Sequence, residues 1–175
     1  MANIIDILII PDPERILRDH DPDTSPVKLR DDGQGYVFMA APWLETVHKT
    51  GNLQQEEGGN ELDIEIKVHD VLRWRMSSLS LGRNYQCFIT NFAIKNGEGY
   101  ISPPTKLLGP ISVATWNPST APDAFNIIKQ PSFDYCWQSV ANAPGWFTYS
   151  TEFAIADDKG NNQGSFSFDP LIHIQ

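Results

Sequence analysis

The stretch Glu61–Ser80, ELDIEIKVHDVLRWRMSSLS, decides the fold. Leu62, Ile64, Ile66 and Val68 alternate with Asp63, Glu65 and Lys67, the period-two pattern of a strand with one dry face and one wet face. His69-Asp70 interrupts the run. Val71-Leu72-Arg73-Trp74-Arg75-Met76 then starts a second alternation, with Leu72, Trp74 and Met76 inward and Arg73 and Arg75 outward. Two half-buried strands around a tight break predict an antiparallel sheet with one solvated face. Leu62, Ile64, Ile66, Val68, Leu72 and Trp74 are the expected core residues.

The same pattern extends in both directions. Ile4–Ile10 reads as a buried strand. Asp12-Pro13-Glu14-Arg15 then reads as a helix start, with Asp12 as cap and Pro13 in the first turn, and the helix is expected to end near His20. Tyr36–Ala41 is a strand, and the polar, Gly-containing run Leu44–Gly59 is a surface loop. Tyr85–Lys95 alternates again and stops at the turn signal Asn96-Gly97. Ile101–Pro122 looks irregular, with one strand at Ile111–Trp116. Asp134–Val140 and Trp146–Ala156 are strands joined by Ala141–Gly145, and Ser165–Ile174 is the last strand segment. About eight strands and one short N-terminal helix predict an all-β fold. It is expected to be an antiparallel two-sheet β-sandwich, jelly-roll-like, forming a single domain over residues 1–175.

Composition narrows the function classes. The 175 residues are 41% hydrophobic and include five Trp and nine Phe, enough for one proper core. The net charge of −9 repels phosphate backbones and anionic lipid, so neither nucleic acid nor membrane is an expected partner. The apolar start MANIIDILII lacks a basic n-region and a small-residue cleavage site, which reads as a strand rather than a signal peptide. A cytoplasmic protein is therefore expected, with Cys87 and Cys136 as free, buried thiols.

No reaction is written in the chain. There is no G-x-S-x-G elbow and no helical His pair of the zinc-protease kind. The four histidines read as surface residues, and no enzyme is expected. Asp19-His20-Asp21-Pro22-Asp23 begins like a calcium loop, but Thr24 and Arg30 stand where that loop wants Gly and Glu. Asp157-Asp158-Lys159-Gly160-Asn161-Asn162-Gln163-Gly164 is the better candidate. Carboxylates and amide carbonyls are hard oxygen ligands, and two glycines let the backbone fold around an ion. Asp157, Asp158, Asn161 and Asn162 are the candidate Ca²⁺ ligands; the plain alternative is a hairpin loop of turn-forming residues. Trp43, Trp116 and Trp146 lie near predicted strand ends, where an aromatic face can stack on a sugar. Trp74 and Trp137 read as core.

Three blocks carry a family resemblance: Ile4–Leu17 (IIDILIIPDPERIL), Glu61–Ser80, and Phe153–Ile174, where F-x-I-x-D-x-x-G leads into FDPLIHI. Together they resemble the PixA/AidA inclusion-body protein family of bacteria over nearly the full length. That resemblance implies a β-sandwich that accumulates in the cytoplasm, sometimes as crystalline inclusions, with links to quorum sensing and host interaction. It defines no catalytic residues. His69 departs from the family's usual Gly before Asp-Val, so the turn there is expected to differ.

A shorter run, Gly160–Ser167 (GNNQGSFS), is similar to the last calcium loop of galactose-binding bacterial calcium lectins. It implies Asn161 and Asn162 as Ca²⁺ ligands beneath a bound sugar. The Asp ligand those lectins place seven residues earlier is Ala154 here, so Asp157 or Asp158 must substitute. Two functions follow as expectations. One is a calcium-assisted, lectin-like carbohydrate-binding protein acting in host interaction, with its sugar-contacting residues unknown. The other is a storage or self-assembling inclusion protein without a small ligand.

Overall fold

The computed structural model describes residues 2–23, 25–41, 66–80, 83–117 and 126–174. Leu62, Ile64, the loop Leu44–Gly59, Trp43 and His48 lie outside the described residues. In β1 (Ile4–Pro11) Ile5, Ile7 and Ile9 are completely buried, while Asp6 and Leu8 face outward. The Asp12 carboxylate accepts from the Arg15 backbone N–H at 3.1 Å, and Pro13 opens α1 (Pro13–Asp19). Helix start and length match the sequence expectation, because cap and proline act locally.

Nine further strands follow: β2 (Val27–Lys28), β3 (Val37–Ala40), β4 (Val71–Met76), β5 (Tyr85–Asn96), β6 (Thr105–Trp116), β7 (Ile127–Val140), β8 (Gly145–Asp157), β9 (Asn162–Phe168) and β10 (Leu171–Ile174). One sheet runs β3-β1-β4-β7-β6. In the other, β8 carries β5 on one edge and β9 with β10 on the opposite edge, and β2 lies outside β9. The result is a sandwich-like all-β fold, as expected. The pairing is mostly antiparallel, but β1 with β4 and β2 with β9 are parallel, so both sheets are mixed.

Aromatic rings join the two sheets. Trp74 of β4 is fully buried, and its indole N–H donates to the Tyr149 hydroxyl of β8 at 3.1 Å. Phe92 of β5 stacks on Tyr149, with ring centroids 4.5 Å apart, and packs against Trp137 of β7. Burial pushes the Tyr149 hydroxyl well above the ordinary tyrosine value, with the Trp74 hydrogen bond acting the other way. Cys87 and Cys136 are free and buried; burial pushes the Cys87 thiol up to about 12, opposed by a hydrogen bond with Ser78.

Four local expectations are corrected. First, the alternation of the opening stretch ends early. Ile66 is fully buried and bridges Ile174, but Val68 is only half-buried and lies in a turn with His69. The cause is Asp70. Its carboxylate accepts from the Asn3 and Lys67 backbone N–H groups at 2.9 and 3.0 Å, while its own N–H donates to the Lys67 carbonyl. That closes a turn where the strand was expected to continue. His69 sits at φ +78, in the left-handed region where glycine is at ease, and its N–H donates to the Ala141 carbonyl at 2.7 Å. The turn has thus kept a glycine-like backbone and given it to a histidine.

Second, β6 starts at Thr105 and runs through Pro110, well before Ile111. It lies at the sheet edge, where a missing N–H is tolerated. Third, Ser165–Ile174 is two strands, β9 and β10, broken at Asp169-Pro170. Phe168↔Thr151 and Leu171↔Thr148 keep one register against β8 across the break. Fourth, His20 is buried rather than exposed, edge-on to Tyr36 with ring centroids 4.9 Å apart. The Asn96-Gly97 turn matches expectation: Gly97 has φ +85, and a Cβ there would meet the Trp146 carbonyl at 2.8 Å and Phe147 Cβ at 2.7 Å. No helix among the described residues is long and apolar enough to cross a membrane.

Candidate functional site

The Asp157–Gly164 stretch closes the β8–β9 hairpin, but the connection is shorter than the expected loop: Asp158–Asn161 form the turn, and Asn162–Gly164 already belong to β9. Asp157 organises it. One carboxylate oxygen accepts from the Lys159 and Asn161 backbone N–H groups at 2.9 and 2.8 Å. The other accepts from the Asn161 and Gln163 side-chain amides at 2.9 and 3.0 Å. Those bonds, the Asn161 side chain first, hold the Asp157 carboxyl below its ordinary value. The backbone closes the same turn: the Asp157 N–H donates to the Asn161 carbonyl and the Gly160 N–H to the Asp157 carbonyl, with Gly160 at φ +81.

The candidate ligands are therefore gathered only in part. Asp157 and Asn161 touch. Asn162 turns away, its side-chain oxygen accepting from the Gly164 N–H at 3.0 Å. Asp158 is exposed on the outside of the turn. A carboxylate offers about four acceptor positions, and Asp157 uses them on N–H donors. Calcium requires converging oxygens, whereas amide hydrogens converge here. In this arrangement the loop would have to open before the four residues could hold the ion. Among the described residues there is no group of three or more His, Cys, Asp or Glu placed to hold a metal.

The tryptophans divide largely as expected. Trp74 and Trp137 are core. Trp146 is exposed at the start of β8 and stacks on His173 of β10, with centroids 4.1 Å apart and planes 11° apart. Trp116 is exposed at the end of β6.

A feature the sequence reading missed is the β6–β7 ribbon. The two strands pair continuously from Thr105↔Gln138 to Trp116↔Ile127. The other edge of β7 pairs with β4 only from Trp137 to Val140. Toward the Trp116↔Ile127 end, among the described residues, the hairpin leaves the body as a two-stranded arm. Period two puts Lys106, Leu108, Pro110 and Trp116 on the face shared with Trp137, Tyr135, Phe133 and Ile127. Leu108 is 70% exposed, Phe133 71% and Ile127 51%. Leu107, Ile111, Val113 and Ile128 lie on the opposite face, also exposed. The available signal was the run TKLLGPISVATW, apolar at odd and even positions alike. Such a run reads as a strand with two dry faces, and Pro110 hid it by looking like a break.

At the base of the ribbon, Arg75 joins three strands. Its guanidinium grips Asp134 of β7 through two bonds of 2.8 and 2.7 Å and also donates to Asp6 of β1. This bidentate pairing, of the strong charge-assisted kind, holds the Asp134 carboxyl below its ordinary value and raises the arginine. It anchors β7 at the point where the strand leaves the body.

The family described as PixA, inclusion body protein, matches residues 3–174. Among curated proteins nothing matches. The crystal structure of an inclusion body protein, PixA, from Burkholderia cenocepacia J2315 is similar in fold, with a TM-score of 0.74 at 19% identity, covering 99% of this chain and 97% of that one. The solution structure of Amebosin aligns over 86% of this chain and 99% of that one, but at 9% identity and a TM-score of 0.25 the likeness carries no argument. The sandwich, its N-terminal strand and helix and its closing strands lie within a match of nearly full length, and the chain belongs to the PixA inclusion body protein family.

Proposed function

We propose that this chain is a non-catalytic protein that works by packing with copies of itself into dense cytoplasmic inclusions. The observation that carries this reading is the β6–β7 ribbon, which holds large apolar side chains in water on both of its faces. A contiguous apolar patch of this kind is uncommon on a protein that stays alone and marks an interaction surface. An isolated two-stranded ribbon is also marginal in water and gains stability when packed. The family description, inclusion body protein, agrees with the reading. The test is light scattering and pelleting of the purified full chain with a calcium chelator present. Particles that form reversibly on concentration, with native tryptophan emission, are the expected result. A chain that stays dispersed at the highest attainable concentration overturns the reading.

One observation favours a second reading, calcium-assisted carbohydrate binding in host interaction. The exposed Trp146, stacked on the half-buried His173, offers a flat aromatic face for a sugar, at the start of β8 and so at the far end of that strand from the Asp157–Asn162 turn. Calcium held by Asp157, Asp158, Asn161 and Asn162 would raise the melting temperature, with about 2.7 kcal/mol gained at a hundredfold excess over Kd. Asn161→Ala with Asn162→Ala would remove that gain and leave the fold unchanged. Equal melting in millimolar Ca²⁺ and in chelator, with an empty glycan array, eliminates this reading.

A further inference from the structure

We infer that the ribbon pairs with the ribbon of a second copy, face to face, in a two-fold dimer whose contact is the face carrying Leu108, Ile127 and Phe133. The inference rests on the self-packing reading and names the first contact it would use.

The choice of face follows from continuity with the core. Trp137 and Tyr135 occupy this face of β7 inside the body. Trp137 packs on Phe92, and the Tyr135 hydroxyl donates to the Ile89 carbonyl of the opposite sheet at 2.6 Å. Phe133 and Ile127 continue the same row past the point where the opposite sheet covers it. Among the described residues the ribbon is half of a sandwich, with no strand of the second sheet opposite Phe133 and Ile127. A second ribbon laid across it at the usual spacing of about 10 Å supplies that layer. A two-fold axis does this with one self-complementary patch.

Addition along the edges is disfavoured. β6 carries Pro110 and β7 carries Pro131, so each free edge of the arm has a position without an N–H to offer a neighbouring strand. The faces remain. With Pro110 and Pro131 exposed among the larger side chains, this face presents on the order of 500 Å² per copy once Leu108, Ile127 and Phe133 are scaled by their exposure. A standard specific interface takes about 800 Å² from each partner and a minimal one about 500 Å², so two ribbon faces reach the lower bound and a weak dimer is expected.

Charge points to the same place. The whole chain carries −9. Residues 105–116 and 127–133 contain Lys106 and Lys129 and no acid, a contribution of +2, so the remainder carries −11. Two such bodies repel one another. Acidic charge is missing from β6 and from β7 as far as Phe133, between Asp123 in the connecting sequence and Asp134 at the base, and as an arm the ribbon lets two copies touch while their bodies stay apart. Raising salt screens the bodies and should tighten the dimer, opposite to the effect on a contact held by opposite charges.

The experiment is sedimentation velocity on the full chain across a wide concentration range, at low and high salt. The wild type should form a dimer. Leu108→Glu with Phe133→Glu should be monomeric throughout, and Ile111→Glu with Val113→Glu, on the opposite face, should dimerise as the wild type does. Thermal melting checks that each variant is folded. Phe133→Ser alone, a milder change, should raise the dimer dissociation constant at least tenfold. A wild type monomeric at every concentration overturns the inference. So does a dimer that survives the Leu108 and Phe133 changes, or one lost equally from both double variants. The two readings fail separately. Dense particles from a chain that never dimerises would overturn the ribbon contact and leave self-packing standing, and a dimer that never proceeds to particles would do the reverse.

Discussion

Trp137 and Phe133 stand four residues apart in β7, on the same face by strand periodicity, yet Trp137 is 6% exposed and Phe133 71%. Backbone, pleat and side-chain class are alike. The difference is what lies opposite. Phe92 and Tyr149 of the second sheet cover the row at Trp137 and Trp74, and among the described residues nothing comparable covers Phe133. A strand's burial is therefore decided by its partner sheet, and the same sequence pattern is core at one end of β7 and interaction surface at the other.

The largest expected effect breaks the covered end. Trp74→Ala should cost roughly 3–5 kcal/mol in urea unfolding, through lost burial and the cavity left behind. Phe133→Ala, measured dilute, should stay within about 0.5 kcal/mol of wild type, as exposed positions do. Equal losses at the two sites would mean that the exposed row is packed in solution.

A smaller effect sharpens what covers that end. Tyr149→Phe keeps the ring stack on Phe92 but leaves the Trp74 indole N–H buried without its acceptor, a loss of about 1–3 kcal/mol. A double-mutant cycle with Trp74→Phe should recover most of it, because donor and acceptor are then both removed. Additive losses would show that the hydrogen bond contributes little.

The smallest effect lies at the junction. Asp134 is held below its ordinary value of 3.8 by Arg75, so its contribution is complete above that pH and lost as pH falls through the folded value. Asp134→Asn should narrow the stability gap to wild type on going from pH 6 to pH 3. Asp19, Asp157 and Asp169 are depressed too and weaken both proteins in acid, so the gap between the two curves is the informative quantity. A gap constant across that range would show that the pair does not hold the ribbon's base.

Much of the strand order was legible because period-two alternation, caps and Asn-Gly turns are written within a few residues. β1, α1, β5 and β8 fall near their expected bounds for that reason. The candidate loop was legible as a loop but not as a ligand set. Its residue types suit calcium, while their hydrogen bonds depend on how the hairpin closes, and Asp157 closes it upon itself. The turn at His69 was flagged by a missing glycine, yet its geometry depends on Asp70 reaching Asn3, sixty-seven residues away.

The amino-acid sequence by itself determined the all-β class, the short capped helix, the acidic surface and the family, because each is stored in local pattern or in motif blocks. Only the tertiary structure decided that β1 and β4 run parallel, that Trp74 meets Tyr149, and that half of β6 and β7 pairs with no other described strand. Those are relations between distant segments. A run of apolar residues states that it prefers to be dry, but whether this chain or another copy covers it depends on where the opposite sheet ends.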